Sequence, residues 1–151
     1  MSRIKVFLDT NVLLDVLAED DRPQKAASLA IFHAIRSSRI EAVLTTQSII
    51  DASYILHKQN KDADYYGRVL RMYQFINIEY LNSFDVRDAC LHPTGDFEDD
   101  ALYARAVDTC CDVFVTNDRK LRERRSGNED QILFLSPEEF INKITFHSSA
   151  R

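Results

Sequence analysis

Acidic residues follow two of the apolar, β-rich runs in this sequence. Asp9 comes directly after the run that ends at Leu8, and Asp118 comes just after the run that ends at Thr116. If both runs are strands of one parallel sheet, their carboxyl ends lie at the edge where such sheets bind ligands, and the two carboxylates share a crevice. Carboxylates held together repel one another, and a divalent cation removes that repulsion.

Two further groups of acids begin predicted helices at the same edge. Asp51 lies in the first turns of the helix after the second apolar run, and the helix before the fourth run opens with Asp96, Glu98, Asp99 and Asp100. Helical spacing continues from Glu98 to polar residues, which predicts that Glu98 faces water. Asp99 and Asp100 both lie on the inward side of their helix, and spacing alone favours neither as the residue that faces the crevice.

Oxygen ligands without cysteine or histidine are typical of sites for Mg²⁺ or Mn²⁺. The usual chemistry of an all-carboxylate site is phosphoryl transfer or phosphodiester hydrolysis, because the metal lowers the pKa of a bound water and neutralises charge on the phosphate. The three cysteines and four histidines of the chain do not lie at zinc-site spacing. We therefore expect Mg²⁺ or Mn²⁺ as the cofactor.

The same acids also have structural interpretations. A polar side chain at the start of a helix can cap its free N–H groups, and an acid there interacts favourably with the helix dipole. These interpretations apply to Asp9 or Thr10, to Asn117 or Asp118, and to the acids within 96–100. Ser48 and Asp51 have the spacing of a capping box. Acids gathered at one end of one sheet favour a functional site over a series of independent caps.

The densest basic run of the sequence follows Asp118 directly. It consists of Arg119, Lys120, Arg122, Arg124 and Arg125. One interpretation is a solvated helix face. The functional interpretation is an edge that holds phosphate groups beside the acids.

Five β-rich runs alternate with helical segments along the chain. We predict strands over 3–8, 41–45, 76–81, 112–116 and 131–135. We predict helices over 11–18, 23–37, 46–59, 62–75, 85–91, 97–110, 119–125 and 138–144. This alternation predicts an α/β three-layer sandwich whose central, mostly parallel five-stranded sheet is covered on both faces.

Length and charge argue against several classes of protein. The 151 residues predict a single domain over 1–145 with a flexible tail at 146–151. The formal net charge of −5 argues against a protein that coats DNA, since such proteins are basic. No apolar run reaches the roughly 18 residues that span a membrane, and the apolar stretch near the N-terminus is too short for a signal peptide. An odd number of cysteines, two of them adjacent, favours the reducing cytoplasm.

Three blocks of the sequence resemble the PIN-domain family. Residues 7–15, Phe-Leu-Asp-Thr-Asn-Val-Leu-Leu-Asp, resemble the opening of PIN-domain proteins. Residues 96–99, Asp-Phe-Glu-Asp, resemble the second acidic block of the family, and residues 115–118, Val-Thr-Asn-Asp, resemble the third. Residues 136–140 are similar to the closing helix, so the resemblance extends from about residue 4 to residue 144.

The resemblance implies a compact parallel α/β nuclease that hydrolyses RNA with Mg²⁺ or Mn²⁺. Many single-domain members are toxins of the VapC type that a small antitoxin protein inhibits, and a homodimer is expected for the family. Carried over by position, the metal ligands are Asp9, Asp99 and Asp118. Asp51 stands at the catalytic position where the family usually has Glu. The supporting residues are Asn11, Ser48, Asp96 and Thr116, and we expect RNA to contact Arg119, Lys120 and Arg122.

Other classes fit the residues less well. A haloacid-dehalogenase-like phosphatase needs an acid two residues after the first Asp, where this chain has Asn11. A receiver domain needs a pair of acids before its phospho-acceptor Asp and a Lys late in the chain. Neither arrangement is evident around Asp9. The stronger alternative is a PIN-fold module that binds RNA or protein with weak or no nuclease activity, because the side chain of Asp51 is one methylene shorter than Glu.

Overall fold

The computed structural model describes residues 2–126 and 132–149, with side chains described as far as Thr145. The strands are β1 (Lys5–Leu8), β2 (Glu41–Thr45), β3 (Asn77–Glu79), β4 (Val113–Val115) and β5 (Leu133–Leu135). The helices are α1 (Thr10–Leu17), α2 (Lys25–Arg36), α3 (Thr46–Lys58), α4 (Tyr65–Met72), α5 (Ser83–Leu91), α6 (Phe97–Asp108), α7 (Arg119–Arg125) and α8 (Pro137–Ser149).

All neighbouring strands of the sheet are parallel, and their order is β3-β2-β1-β4-β5. Strand β1 lies in the centre, where Phe7 pairs with Val43 of β2 and with Phe114 of β4. Val6, Phe7 and Leu8 are completely buried, as the continuous apolar run of a strand covered on both faces predicts. The predicted parallel α/β sandwich is therefore confirmed.

Alternate side chains of β1 belong to different core layers. Val6 and Leu8 pack in the larger core with residues of α1, α2, α3 and α8. Phe7 packs in the smaller core with Leu102 of α6 and Leu121 of α7, and its ring stacks on Phe114 at a centroid distance of 4.9 Å. Because side chains of a strand alternate between faces, the sheet separates two helical layers.

The central pairing carries β1 and β4 to the same edge of the sheet. The backbone N–H of Asp9 donates to the carbonyl of Val115 at 3.1 Å, which continues the ladder one residue beyond β1. Asp9 and the residues after Val115 are thus joined through backbone as well as side chains. The topology places the two acids predicted at strand ends in one crevice.

Several predicted boundaries differ from the structure for local reasons. Helix α4 is shorter than 62–75, because Asp64 takes a left-handed φ of 52° before it begins. The N–H of Ile76 bonds back to the carbonyl of Met72 and so belongs to the helix end rather than to β3. Helix α6 ends before Cys110, which has a left-handed φ of 57°.

At the C-terminus, α8 continues to Ser149 instead of ending near residue 144, so most of the predicted tail is helical. Residues 127, 128 and 131, which the predicted loop and fifth strand include, and residues 150–151 of the tail lie outside the described residues. None of the described helices combines the length and apolar character needed to cross a bilayer.

Candidate active site

Asp9 is a buried carboxylate at the junction of β1 and α1, with 6% of its surface exposed. Its Oδ1 accepts from the N–H of Thr10 at 2.7 Å, so Asp9 is also the N-cap of α1. Its Oδ2 accepts from the hydroxyl of Thr116 at 2.7 Å and from the amide of Asn11 at 3.1 Å. Burial raises the pKa of Asp9 from 3.8 to about 6, although the bonds from Thr116 and Thr10 oppose that rise.

Polar residues of the β1 and β4 ends bind one another around Asp9. The Oδ1 of Asn11 accepts from the backbone N–H of Asn117 at 3.0 Å. The Oγ1 of Thr116 accepts from the N–H of Asp118 at 3.0 Å. The structure thus brings Asn11 and Thr116, two of the predicted supporting residues, into direct contact with the carboxylate of Asp9.

A second buried acid, Asp15, extends this network, and the sequence analysis assigned it no role. Its Oδ2 accepts from the amide of Asn117 at 2.7 Å and from the hydroxyl of Ser28 at 2.8 Å, and its Oδ1 pairs with Arg22 at 2.6 Å. Asp15 lies one helical turn after Asn11, so the two share a face of α1. The sequence signal that could have identified Asp15 is an acid four residues after Asn11 in an otherwise apolar helix.

Asp118 and Asp96 are helix caps that also lie at the crevice. The Oδ1 of Asp118 accepts from the N–H of Leu121 at 3.1 Å at the start of α7. The Oδ1 of Asp96 accepts from the N–H of Asp99 at 3.1 Å at the start of α6. Electrostatic repulsion from both Asp96 and Asp118 contributes to a raised pKa at Asp99, so both carboxylates lie near it. The capping and site interpretations are therefore compatible.

The structure distinguishes Asp99 from Asp100. Asp99 is partly buried near the other acids, and its Oδ2 accepts from Arg124 at 3.0 Å. Burial is the largest cause of its raised pKa. Asp100 is 3% exposed and turns away, accepting from the N–H of Thr94 and from Arg125, both at 2.8 Å. Asp99, and not Asp100, faces the crevice.

Glu98 is a site residue that the sequence analysis missed. It is exposed, as expected, but its pKa is raised by burial of the carboxyl and then by repulsion from Asp51, Asp99 and Asp96. Glu98 also contributes to the raised pKa of Asp9. Apolar spacing assigns the sides of a helix, whereas Glu98 lies in the first turn, where side chains also reach beyond the helix end.

These electrostatic effects connect six acids, which we call the carboxylate cluster. Its members are Asp9, Asp51, Asp96, Glu98, Asp99 and Asp118. Three of them lie at the start of α6, and the others come from the start of α1, from α3 and from the start of α7, so the cluster exists only in the folded chain.

The start of α3 differs from the predicted capping box. Thr45 is the N-cap, because its hydroxyl accepts from the N–H of Ser48 at 3.1 Å. Ser48 is completely buried, and its Oγ accepts from Thr10 at 2.8 Å and from Thr45 at 3.1 Å. The described contacts of Ser48 therefore hold the start of α1 and include no carboxylate.

Asp51 lies one turn further along α3, at the rim of the cluster. Its Oδ1 accepts from the amide of Gln47 at 2.9 Å. Its repulsion is the largest electrostatic contribution to the raised pKa of Glu98. The structure thus brings Asp51 to the cluster beside Glu98, a carboxylate of the length that the family uses at the position of Asp51.

The basic run on α7 contains exposed side chains and side chains that are bound to other groups of the protein. Arg119 is 83% exposed and pairs with Glu123 at 2.8 Å, and Lys120 is exposed. Arg122 donates to the carbonyl of Thr116 at 2.8 Å and so supports the end of β4. Arg124 contacts the cluster itself at Asp99. A uniformly solvated face does not describe this helix.

The donor set fits a hard divalent cation. The cluster offers carboxylate oxygens only, and repulsion between its members contributes to the raised pKa values of Asp9, Glu98 and Asp99. Within the described residues, however, no three Asp, Glu, His or Cys side chains converge into a ready-made metal site. The carboxylates are close enough to influence one another, and Asp99 accepts from Arg124.

Comparisons with known proteins concern the domain and the fold. A sequence model of the PIN domain matches residues 5–120. The fold is similar to VapC20 from Mycobacterium tuberculosis, a sarcin-ricin loop cleaving toxin, with 11% identity and a TM-score of 0.62 over 77% of this chain and 92% of that one. It is similar to VapBC2 from Rickettsia felis, solved bound to a DNA fragment from their promoter, with 12% identity and a TM-score of 0.60 over 88% and 98%.

PAE2754 from Pyrobaculum aerophilum gives 17% identity and a TM-score of 0.59 over 94% of this chain and 90% of that one. A comparison with curated proteins gives no match. At these identities the solved structures establish the fold alone, and the match to the domain model covers most of the chain.

Proposed function

The chain belongs to the PIN-domain family, and on that premise we propose that it is a metal-dependent endoribonuclease that hydrolyses RNA phosphodiester bonds, acting as the toxin of a toxin–antitoxin pair. The observation that carries the proposal is the carboxylate cluster at the carboxyl edge of the sheet. Burial, and then repulsion from other members, raises the pKa values of Asp9, Glu98 and Asp99, so the folded chain holds unfavourable negative charge that a cation would relieve.

Asp9, Asp99 and Asp118 are the residues that would hold Mg²⁺ or Mn²⁺. When bound, such a cation supplies an acidified water and neutralises charge on the phosphate. Asn11 and Thr116 fix the carboxylate of Asp9 through the bonds described above. Asp96 and Asp51 serve as auxiliary acids, and Glu98 supplies the longer carboxylate beside Asp51.

RNA contacts in this proposal come from the exposed cations of α7. Arg119 and Lys120 are exposed on the helix that Asp118 begins. Arg122 has a positioning role instead, since its guanidinium is bound to the carbonyl of Thr116. A small number of local cations is consistent with an acidic chain whose RNA affinity falls with salt.

Partners of the proposed toxin are a small antitoxin protein and a second copy of the chain. Helices α3 and α4 and the residue that follows α4 expose apolar side chains that could form the homodimer interface: Ile50, Tyr54, Tyr66, Leu70 and Tyr73. The three cysteines are free thiols, two of them exposed, which supports our proposal of a reducing cytoplasm.

The test is cleavage of a structured RNA and a single-stranded RNA in Mn²⁺, Mg²⁺ or EDTA. Asp9→Asn should abolish metal-dependent cleavage, whereas Asp88→Asn, the same change at an exposed acid of α5 paired with His92, should leave it intact. Cleavage that persists in Asp9→Asn, or in EDTA, would overturn the proposal. Metal binding by the wild type without cleavage of either RNA would favour the PIN-fold binding module.

A further inference from the structure

Arg124 makes a direct contact with the carboxylate cluster. Its Nη2 lies 3.0 Å from the Oδ2 of Asp99, and the two side chains are 31% and 14% exposed. Among the described residues, this is the ion pair that joins a basic side chain to a member of the cluster. The neighbouring cations are committed elsewhere, Arg122 to the carbonyl of Thr116 and Arg125 to Asp100.

We propose that Arg124 is the counter-ion of Asp99 in the metal-free protein, that a divalent cation takes its place, and that the freed guanidinium then binds a phosphate of the RNA. This inference rests on the proposed function and assigns to Arg124 a role that the basic run alone did not indicate. It links metal binding to RNA binding through one side chain.

The charges of the site support displacement of Arg124. One guanidinium faces a cluster of six carboxylates, so it neutralises only a small part of the charge. A cation of charge +2 held by Asp9, Asp99 and Asp118 would interact with several carboxylates at once, whereas Arg124 reaches Asp99.

The chemistry of the freed side chain supports the second step. Arginine recognises phosphate through two parallel N–H bonds, as it does carboxylate. Arg124 is partly exposed, and its long side chain can change rotamer while α7 stays in place. A guanidinium released from Asp99 would remain within reach of the cluster and so be available to a phosphate that binds there.

Metal affinity tests the counter-ion role without any measurement of activity. We would titrate Mn²⁺ by calorimetry into wild type, Arg124→Met and Arg119→Met. Arg119 is the matched control, because it lies on the same helix and pairs with Glu123 outside the cluster. Loss of a partly exposed competing pair should tighten Mn²⁺ binding about 5-fold in Arg124→Met and less than about 2-fold in Arg119→Met. Equal affinities for the two variants would overturn the counter-ion role.

RNA affinity tests the coupling. A short fluorescein-labelled single-stranded RNA is titrated by anisotropy in Ca²⁺, chosen to occupy the site with slow hydrolysis, and in EDTA. Arg124→Met should lose about 10-fold in affinity in Ca²⁺ and less than about 2-fold in EDTA, and Arg124→Lys should recover part of the loss. An equal loss in both buffers, or no loss in Ca²⁺, would overturn the coupling.

The two experiments separate failure of this inference from failure of the proposed function. If the wild type and Arg124→Met bind RNA with the same affinity in Ca²⁺, the role of Arg124 is wrong and the proposed function is not affected. If the wild type binds no RNA in either buffer, the proposed function and the phosphate contact both fail, and calorimetry still decides the counter-ion role. Circular dichroism of each variant confirms that it is folded.

Discussion

Asp99 and Asp100 are adjacent acids of α6 whose surroundings are opposite. Asp100 and Arg125 have side chains only 2% and 6% exposed, Thr94 donates to the carboxylate, and the guanidinium stacks over Tyr103 at 3.9 Å. Asp99 also has an arginine, but it lies among other carboxylates and its pKa is raised. The first pair is a closed structural contact, and the second leaves negative charge without compensation. Excess charge, rather than the presence of an ion pair, distinguishes the candidate site.

The largest expected effect would break the closed pair. Arg125→Met leaves Asp100 buried without its cation, so the free energy of unfolding should fall by about 3–5 kcal/mol. Arg124→Met removes a partly exposed pair and should change it by less than about 1 kcal/mol. Urea denaturation in EDTA measures both. Similar losses for the two variants would contradict the distinction between the pairs.

The next effect concerns the pH dependence of stability that the buried carboxylate of Asp9 produces. The pKa of Asp9 is raised from 3.8 to about 6, so the folded chain binds its proton more tightly than the unfolded chain. The resulting stabilisation is complete below 3.8 and is lost as the pH rises through about 6. The free energy of unfolding of the wild type, minus that of Asp9→Asn, should therefore decrease by about 3 kcal/mol as the pH rises over this range.

This pH dependence is measured by urea denaturation in EDTA at a series of pH values. Asp88→Asn is the control, and its difference from wild type should not follow the same pH range. A difference between wild type and Asp9→Asn that stays constant would show that Asp9 does not have the raised pKa on which the charge argument depends.

The smallest expected effect concerns the network behind Asp9. The side-chain amide of Asn117 donates to the carboxylate of Asp15 and to the backbone carbonyl of Asn11. Asn117→Ala removes both bonds, so Asn11, which donates to Asp9, holds that carboxylate less firmly. Loss of such supporting contacts typically costs about 10-fold in metal affinity. Calorimetry with Mn²⁺ measures it, with the exposed Asn142→Ala as control. Unchanged affinity in Asn117→Ala would limit the site to the carboxylates themselves.

Short-range patterns explain what could be predicted from the sequence. Asp9 and Asp118 follow strands, and the carboxyl ends of parallel strands share an edge, so their proximity required only the correct strands and their pairing. The caps at Asp96 and Asp118 depend on residues within one helical turn. The caps need no knowledge of distant contacts, and the pairing of the two strands follows from the usual strand orders of parallel α/β sheets.

Long-range contacts explain what could not be predicted. Asp99 and Asp100 differ because Arg124 and Arg125, each 25 residues away, approach from α7 on different sides. Glu98 joins the cluster because the fold places α6 so that Glu98 lies near enough to Asp51 of α3 for the two carboxylates to repel each other. Helical periodicity describes one helix at a time, so it predicts neither the contacts of α6 with α7 nor the proximity of Glu98 to Asp51.

The most direct test of the central claim is Mn²⁺ binding by calorimetry to wild type and Asp99→Asn, each shown to be folded by circular dichroism. If the cluster is a divalent cation site, the wild type should bind Mn²⁺, and Asp99→Asn should bind it at least about 10-fold more weakly. Wild type that is folded and binds no Mn²⁺, or Asp99→Asn that binds it with unchanged affinity, would contradict the claim.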